Sequence, residues 1–340
     1  MALWTDILTP AQLTGYARES LASYEAAKGS LAQFLPNREV ADIVARFVAG
    51  QTGLVPEAQF RAYDAEPEIG ARQIRKRVTI ELPAIGQNLP VTEYQQLRVR
   101  AASDDQIANQ IMSDTDQVVR AIADRIERLR GTVLTTGKST IDQTNFNVED
   151  DFGRSAGHTV TAGTLWSSGT NVDRLAYIQT LQDTYKSDTG EDVGALLMST
   201  RVFRALAAGD QFKTVFVGGG TRSANLAQVN DALVGAGLPP VTLYDRRTAA
   251  GRVTPDDRLF LLPAPVATDD WEGTSLGATF WGQTLTSTDP TYGIEPSEQP
   301  GIVAGVYRGD KPPMIAEVIS DAIALPVLAN ADLSICAKVL

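Results

Sequence analysis

The sequence predicts an α+β fold, in which one very long helix is followed by an α/β segment and by a β-rich end. An apolar stripe with helical spacing continues for about eight turns after Ser103. Helix and strand patterns then alternate from about residue 172 to 265, and apolar strand patterns fill most of 301–340. At 340 residues the chain can bury a sizeable core, and its length suggests about two domains.

Composition points to a globular protein and argues against a dedicated nucleic-acid binder. Hydrophobic residues make up 43% and charged residues 21%, with a formal net charge of -11. Nucleic-acid binders gain most of their affinity by neutralising phosphates, which an acidic chain does poorly. Cys336 is the only cysteine, so no intrachain disulfide can form. The start, MALWTDILTP, lacks a basic segment and no apolar run is long enough to span a membrane, so we expect neither a secretory signal nor a membrane anchor.

The first predicted helix begins after Thr9, because Thr9, Pro10 and Gln12 together form the pattern of a capping box. Apolar residues keep helical spacing from Leu13 until Gly29. Pro36 and several glycines then interrupt the sequence. We therefore expect an arm that lies over another part of the protein instead of a separate domain.

Residues 58–97 have the pattern of an extended hairpin, bracketed by prolines and glycines. Within it, Ile74, Val78, Ile80 and Leu82 fall on one face, and Arg75, Arg77, Thr79 and Glu81 fall on the other. A lone hairpin is marginally stable in water, so this one needs a surface to lie on. Its basic cluster, which stands out in an acidic chain, consists of Arg72, Arg75, Lys76 and Arg77.

The strongest helix pattern starts at Ser103, which is a good N-cap residue. Asp104 and Asp105 suit the positive end of the helix dipole, and Gln106 completes a second capping box. From Ile107 to Val133 the apolar residues step mainly by threes and fours. Few helices of globular proteins are this long.

The segment that follows alternates between helix and strand, which predicts an α/β domain with a central sheet. In order, it reads helix VDRLAYIQTLQDTYK, strand VGALLMS, helix TRVFRALAA, helix SANLAQVNDALVGAG, strand VTLYD and strand RLFLLP. Two further β-rich stretches follow, GIVAGVYRG and MIAEVISDAIALPVLANADLSICAKVL.

Catalytic and metal-binding patterns are weak. His158 is the only histidine, which removes multi-histidine metal sites and leaves no Ser-His-Asp set that can be selected. It is most simply a loop or strand residue. Adjacent carboxylates could hold Mg²⁺ or Ca²⁺, but none has a calcium-loop spacing, and solvated turns and helix caps explain them better. These clusters are Asp104/Asp105, Glu149/Asp150/Asp151, Asp256/Asp257 and Asp269/Asp270.

A glycine loop offers the sharpest enzymatic alternative. Gly218 to Gly220 lie between strand-like and helix-like sequence, and Asp245 follows the next strand where a dinucleotide-binding unit would place its ribose ligand. Ser223 replaces the third glycine of that pattern, and no lysine follows to make a phosphate loop. A surface loop explains the glycines more simply, and we predict no cofactor.

The order of these parts resembles the Hong Kong 97 type capsid fold, with its N-arm, E-loop, P-domain and A-domain. Two stretches, GKSTIDQTNFNVEDDFGRSAGHTVTAGTLWS and SDAIALPVLANADLSICAKVL, resemble the lambda-type capsid protein E family of tailed-bacteriophage major capsid proteins. In that family a DFGR or DMGR strand leads toward a G-T-x-W-S segment, present here as Asp151 to Arg154 and Gly163 to Ser167. The resemblance covers the chain from about residue 30 to its last residue and carries no catalytic signature.

The resemblance implies a division of the chain into five parts. These are an N-terminal arm at 1–57, the E-loop at 58–97, a P-domain with its spine helix at 98–167, the A-domain at 168–270, and a returning β-rich part at 271–340. It also implies pentamers and hexamers that assemble with a scaffold protein into an icosahedral shell around double-stranded DNA, without sequence-specific DNA binding. A portal and a cementing or decoration protein are further implied partners. The expected locations are the virion and, during assembly, the host cytoplasm.

We expect the basic cluster to meet a carboxylate cluster on a neighbouring subunit. The predicted contact residues are Arg72, Arg75, Lys76, Arg77, Glu149, Asp150 and Asp151. Two other functions remain open. An encapsulin-like compartment would share the fold and enclose cargo protein instead of DNA, and a nucleotide-binding α/β enzyme would use the glycine loop and Asp245.

Overall fold

The computed structural model describes residues 2–49, 76–98, 104–143, 146–169, 171–212 and 223–340. Its helices are α1 (Pro10–Lys28), α2 (Glu93–Arg98), α3 (Asp104–Thr136), α4 (Arg174–Thr189), α5 (Thr200–Ala207), α6 (Leu226–Gly235) and α7 (Leu285–Thr288). Its strands are β1 (Ala2–Leu3), β2 (Asn37–Glu39), β3 (Val44–Ala49), β4 (Lys76–Glu81), β5 (Ala84–Val91), β6 (Lys138–Gln143), β7 (Phe146–Asp151), β8 (Thr159–Thr161), β9 (Ala195–Met198), β10 (Val241–Leu243), β11 (Arg247–Thr248), β12 (Gly251–Arg252), β13 (Arg258–Leu262), β14 (Gly277–Gly282), β15 (Val303–Arg308), β16 (Ala316–Leu328) and β17 (Ile335–Lys338).

Strand β16 organises the larger sheet, whose order is β1-β15-β16-β14-β2 with β5 also paired to β16. It is 13 residues long, and its side chains alternate between buried and half-buried before they become fully buried toward Leu328. β5, β14 and β15 all pair with it in antiparallel register, whereas β2 pairs with β14 in parallel. This length lets one strand hold together segments from three distant parts of the chain.

The smaller sheet has the order β10-β9-β13-β17-β8 and mixes parallel and antiparallel pairs. All residues of β9 are buried, as expected for a strand covered on both faces. The apolar faces of α4, α5 and α6 pack on this sheet through Ile178, Val202 and Val229. This part of the chain is the predicted α/β segment, and its helices and strands are confirmed with boundary shifts of a few residues.

The two sheets have separate hydrophobic cores that meet on α3. We define the six-stranded unit as the larger sheet with α1 and the part of α3 up to Leu129, and the five-stranded unit as the smaller sheet with α4, α5 and α6. Ile111 to Leu129 of α3 pack in the first core. Val133 and Leu134 pack in the second. A helix of 33 residues is about 50 Å long, so it can contribute side chains to both hydrophobic cores.

The predicted first helix is confirmed. Thr9 caps α1, with Gln12 completing the capping box, and the helix ends at Gly29, whose φ of 73° favours glycine. The following segment is embedded in the protein, since Leu31, Phe34 and Leu35 are fully buried.

Residues 58–75 of the predicted hairpin lie outside the described residues, and the prediction for 76–97 needs a correction. β4 pairs with β3, which starts at Val44, whereas β5 pairs with β16 in the larger sheet and residues from Glu93 onward form helix α2. Local sequence did not reveal β16 as the partner, because the two strands are far apart in the chain. The predicted alternation of apolar and polar faces holds for the residues of this strand that the structure describes. Ile80 and Leu82 are buried, whereas Thr79 and Glu81 are exposed. The predicted N-cap Ser103 lies outside the described residues, and the five domain boundaries stay predictions.

Candidate functional site

The predicted basic cluster is only partly within the described residues. Arg72 and Arg75 lie outside them. Lys76 and Arg77 begin β4, where their backbones pair with Ala49 and Val48 of β3. This places half of the cluster at the start of a two-stranded ribbon that is separate from both larger sheets.

The predicted acidic cluster lies on β7, in a second two-stranded ribbon formed with β6. Lys138 Nζ lies 2.9 Å from Glu149 Oε1 and 3.0 Å from Asp151 Oδ2. The backbone N–H of Gly153 and the Lys138 ammonium both donate to Asp151 and lower its pKa. Partial burial instead raises the pKa of Asp150, which pairs across the ribbon with buried Ser139. Glu149 and Asp151 therefore carry the outward negative charge of the ribbon, and Lys138 offsets part of it.

The two faces of this ribbon differ in chemistry. Lys138, Glu149 and Asp151 share the charged face. On the opposite face Ile141 is buried, whereas Phe146 and Val148 keep 44% and 36% of their surface exposed. The ribbon therefore exposes carboxylates on one face and apolar side chains on the other.

His158 and Asp245, the residues of the enzymatic alternatives, both have structural partners. His158 is fully buried, and its Nε2 lies 2.9 Å from Asp188 Oδ2. Asp245 accepts hydrogen bonds from the backbone N–H of Thr200 at 3.0 Å and from Arg252 Nη1 at 2.9 Å. Gly218 to Gly220 lie outside the described residues. In the described part of the chain, no group of three or more His, Cys, Asp or Glu side chains is placed to hold a metal ion, and no helix is long and apolar enough to cross a membrane.

A buried charged residue, which the sequence reasoning missed, lies where the two cores meet. The side chain of Arg130 is fully buried in α3 and donates to Glu25 Oε1 at 2.6 Å and to Glu127 Oε2 at 3.1 Å. It also donates to Thr279 Oγ1 of β14 at 2.9 Å and to Asn37 Oδ1 of β2 at 2.6 Å. These carboxylates raise the pKa of Arg130 against the opposing effect of burial, which favours an arginine that stays charged.

Glu127 extends this cluster into the five-stranded unit. Its Oε1 accepts from the backbone N–H of Leu31 at 2.8 Å and from the hydroxyl of Tyr244 at 2.5 Å. Arg246 Nη1 lies 3.7 Å from the same oxygen, while Arg246 Nη2 donates to Asp124 Oδ1 at 3.1 Å. Burial and the neighbouring Glu127 raise the pKa of Tyr244, so its hydroxyl stays protonated and donates. We call Glu25, Asp124, Glu127, Arg130, Tyr244 and Arg246 the buried ion network.

The sequence itself contains a signal for this network. Glu127 and Arg130 stand three residues apart among Ile126, Leu129 and Val133, so the helical period turns them toward the buried side. Charged residues at such positions need buried partners. Those partners come from residues about 100 positions away in either direction, which no local pattern identifies.

Comparison with known proteins identifies similar sequences and folds. A family model described as phage major capsid protein E matches residues 25–269. A solved prophage capsid protein from Escherichia coli CFT073 superposes with a TM-score of 0.61 at 15% identity, covering 100% of both chains. A phage-related protein from Bordetella bronchiseptica RB50 superposes with a TM-score of 0.58 at 12% identity, covering 97% of this chain and 96% of that one. No curated protein matches the sequence.

Proposed function

The chain belongs to the phage major capsid protein E family, and from this premise we propose that its copies assemble as pentamers and hexamers into the icosahedral shell of a tailed bacteriophage. The fold is of the Hong Kong 97 capsid type. The observation that carries the proposal is the family match, which extends over residues 25–269 and so includes α3, the β6–β7 ribbon and most of the five-stranded unit. The protein is a structural subunit located in the virion, and the shell is an assembly of many copies.

The shell function is tested by expressing the full chain and imaging it. Light scattering on the size-exclusion peak, with negative-stain electron microscopy of the same fraction, is expected to give shells, capsomers or tubes tens of nanometres across. A monomer or dimer that persists when a scaffold protein from the same phage genome is co-expressed would contradict the proposal. We also propose that the shell assembles in the host cytoplasm. Its further proposed partners are a portal and a cementing protein.

We propose that the basic cluster of Arg72, Arg75, Lys76 and Arg77 pairs with Glu149 to Asp151 of a neighbouring subunit. Its support is the exposed position of the acidic side chains, since Glu149 and Asp151 keep 54% and 56% of their side-chain surface. Lys138 neutralises only part of this charge. Asp150 is the least exposed of the three and contributes least. An arginine can form two parallel hydrogen bonds to one carboxylate, so a basic cluster and an acidic ribbon are chemically complementary.

Charge reversal tests this pairing. Reversing the four basic residues to Glu is expected to stop assembly, and Glu149→Lys with Asp151→Lys in the same chain is expected to restore it. Asp192→Lys, which breaks an exposed ion pair with Lys186 on the five-stranded unit, is the matched control and is expected to leave assembly unchanged. Intact assembly after the basic reversal, or failure of the acidic reversal to rescue it, would rule the pairing out.

We also propose that the shell encloses DNA and that the subunit catalyses no reaction. The hydrogen bonds of Asp245 support the absence of catalysis by a nucleotide-binding site, because Thr200 and Arg252 already occupy the carboxylate that a nucleotide would need. The net charge of -11 supports the enclosure of DNA, because a shell lined by an acidic protein holds a genome without strong adhesion. Finding cargo protein in place of DNA in purified particles would instead favour an encapsulin-like compartment, and saturable dinucleotide binding would favour an enzyme.

A further inference from the structure

Helices α1 and α3 cover one face of the larger sheet, and a pocket opens on the opposite face. Val318 of β16 and Ala304 of β15 pack in the core together with the two helices. On the other face, Gly86 of β5, Asp321 of β16 and Val303 of β15 form one row, because they are direct partners in neighbouring strands. The pocket above this row has a volume of 460 Å³, which is ordinary for a ligand site.

Two glycines keep the floor of this pocket open. An added Cβ at Gly86 would lie 3.3 Å from the carbonyl oxygen of Ser320 and 3.8 Å from Asp321 Oδ1. The Oδ1 atom therefore faces the space that this glycine leaves free. An added Cβ at Gly305 would lie 2.7 Å from the hydroxyl of Tyr292, so the tyrosine reaches over bare backbone. A larger side chain at either position would narrow the pocket.

Tyrosine and aliphatic side chains form the walls. The hydroxyls of Tyr292 and Tyr307 are hydrogen-bonded to each other, and the centroids of the two rings are 6.5 Å apart. Burial and the hydroxyl of Tyr307 raise the pKa of Tyr292, so this tyrosine stays neutral. Val303 and Ile319 add apolar surface. The pocket thus surrounds one carboxylate with aromatic rings, hydroxyl groups and aliphatic surface.

Asp321 is a half-buried carboxylate without a cation of its own. Thr286 donates to Oδ2 at 3.2 Å, and the backbone N–H of Ala322 donates to the same carboxylate. Among the residues that the structure describes, no lysine or arginine pairs with it. Burial outweighs the two hydrogen bonds and raises the pKa of Asp321. A carboxylate removed from water without a counter-ion is costly, and a cation that enters the pocket would remove that cost.

The surroundings favour an organic cation over a metal ion. Ca²⁺ and Mg²⁺ take about six or more oxygen ligands, whereas Asp321 supplies a single carboxylate here. An alkylammonium or alkylguanidinium group needs one carboxylate for its charge, hydroxyl oxygens for its other N–H groups, and apolar surface for its carbon chain. The pocket contains all three.

We propose that the pocket between Asp321, Tyr292 and Tyr307 binds an alkylammonium or alkylguanidinium group. The charged end lies against Asp321 Oδ1 above Gly86, and the carbon chain lies along the tyrosine rings and Ile319. Two sources share this chemistry, a free amine and a lysine or arginine side chain of a second copy of the chain. The second source rests on the proposed shell function. The site itself belongs to one subunit and is tested before assembly, so the two proposals can fail separately.

Titration of the full-length chain before assembly tests the site. The probes are n-butylguanidinium and n-butylammonium, and n-butylurea is a neutral molecule with the shape of the first probe. Ligand-observed nuclear magnetic resonance measures weak binding of such small molecules. Both cations are expected to bind saturably, and n-butylurea is expected not to bind.

Three variants locate the binding. Asp321→Asn keeps the shape of the side chain and removes its charge, which is expected to weaken binding of either cation by about tenfold or more. Gly86→Val places a side chain beside Asp321 and is expected to abolish binding. Glu317→Gln is the matched control, because Glu317 is a carboxylate on the same face of β16 that accepts from Asn88 Nδ2 at 2.7 Å. This control is expected to bind both cations like the unaltered chain.

If Gly86→Val fails to fold, Asp321→Asn decides, since an amide of the same shape replaces a carboxyl group whose charge is disfavoured by burial. Equal binding by Asp321→Asn and the unaltered chain would overturn the proposal. Binding of n-butylurea as strong as that of n-butylguanidinium, or no saturable binding of either cation, would overturn it too.

Assembled particles identify the source of the cation. If a basic side chain of a second copy occupies the pocket, particles exclude the probes, and Asp321→Asn weakens assembly whereas Glu317→Gln does not. If the occupant is a free amine, particles bind the probes as the chain does before assembly. Either result retains the site and assigns its occupant.

Discussion

At the scale of single residues, Arg130 shows how a buried charge is tolerated. Its guanidinium has no contact with solvent, yet the donors on each of its three nitrogen atoms meet oxygen atoms of Glu25, Glu127, Asn37 or Thr279. Removing one member leaves its partners buried with a charge that is less well compensated, which costs more than the intact cluster contributes.

Arg130→Ala is therefore expected to lower the free energy of unfolding by about 3–5 kcal/mol, because Glu25 and Glu127 lose their shared cation. Urea titration followed by circular dichroism measures this. Lys186→Ala is the control, since it removes an exposed pair with Asp192, and such pairs contribute about 0–1 kcal/mol. Equal losses in the two variants would contradict the assignment of Arg130 to a buried cluster.

Asp321 makes stability depend on pH. Burial in the larger sheet raises its pKa above the ordinary 3.8, although Thr286 donates to Oδ2 and partly opposes this. The folded chain thus holds the proton more firmly than the unfolded chain. The contribution of Asp321 is most favourable below the ordinary carboxyl range and is lost as the pH rises through the raised value.

Asp321→Asn is accordingly expected to raise the melting temperature at pH 7 and to change it less near pH 4. Asp289→Asn is the control of opposite sign, because bonds from Thr291 lower the pKa of this exposed carboxyl. Asp289→Asn is expected to lower the melting temperature at pH 7, and this decrease is expected to become smaller in acid. Thermal unfolding at both pH values measures the two effects, and a stabilisation by Asp321→Asn that grows toward acid would refute the argument.

At the scale of elements, two glycines inside helices have opposite surroundings. Gly15 of α1 has nothing within 4 Å of the position of an added Cβ, whereas the same atom at Gly131 of α3 would overlap the backbone of Val253. Both positions gain the same intrinsic helix propensity from alanine. The difference between them isolates the cost of pushing α3 away from the five-stranded unit.

Gly15→Ala is expected to stabilise the protein by about 0.5–1 kcal/mol, the propensity gain alone. Gly131→Ala is expected to destabilise it by about 1–3 kcal/mol, as overpacking does. Denaturant unfolding of both variants under the same conditions is the measurement. A stabilisation by Gly131→Ala would show that α3 does not need this close approach.

The elements that the sequence predicted best are those whose signals are local. Thr9, Gln12 and Gly29 determine the ends of α1 by contacts within a few residues, so the capping box could be read directly. The hairpin was harder, because its strands pair with β3 and β16, and pairing partners depend on the whole chain. The buried ion network was harder still, since its residues were individually ordinary and only the fold brings them together.

At the scale of the whole molecule, the arm connects the two units. α1 packs in the core of the six-stranded unit through Leu13 and Ala17, and a few residues later Leu31 and Phe34 pack in the core that contains the smaller sheet. The arm then returns to the larger sheet as β2. This path means that loosening the arm weakens both units.

Phe34→Ala is expected to lower the free energy of unfolding by about 3–5 kcal/mol, because a fully buried aromatic ring leaves a cavity. Ile43→Ala, at a side chain that is 48% exposed in the same segment, is expected to change it by less than about 0.5 kcal/mol. Chemical denaturation with tryptophan fluorescence distinguishes the two. A negligible effect of Phe34→Ala would mean that the arm is detachable.

The place of β17 in the smaller sheet has a consequence for synthesis. β17 lies between β13 and β8, so it is an inner strand, yet the chain makes β14, β15 and β16 of the other sheet before it makes β17. Until Lys338 has left the ribosome, β8 has no partner strand among the described residues, and the edge of β13 that β17 will cover is open. A nascent subunit therefore cannot present a finished five-stranded sheet to its neighbours until β17 has been translated, which delays association up to that point.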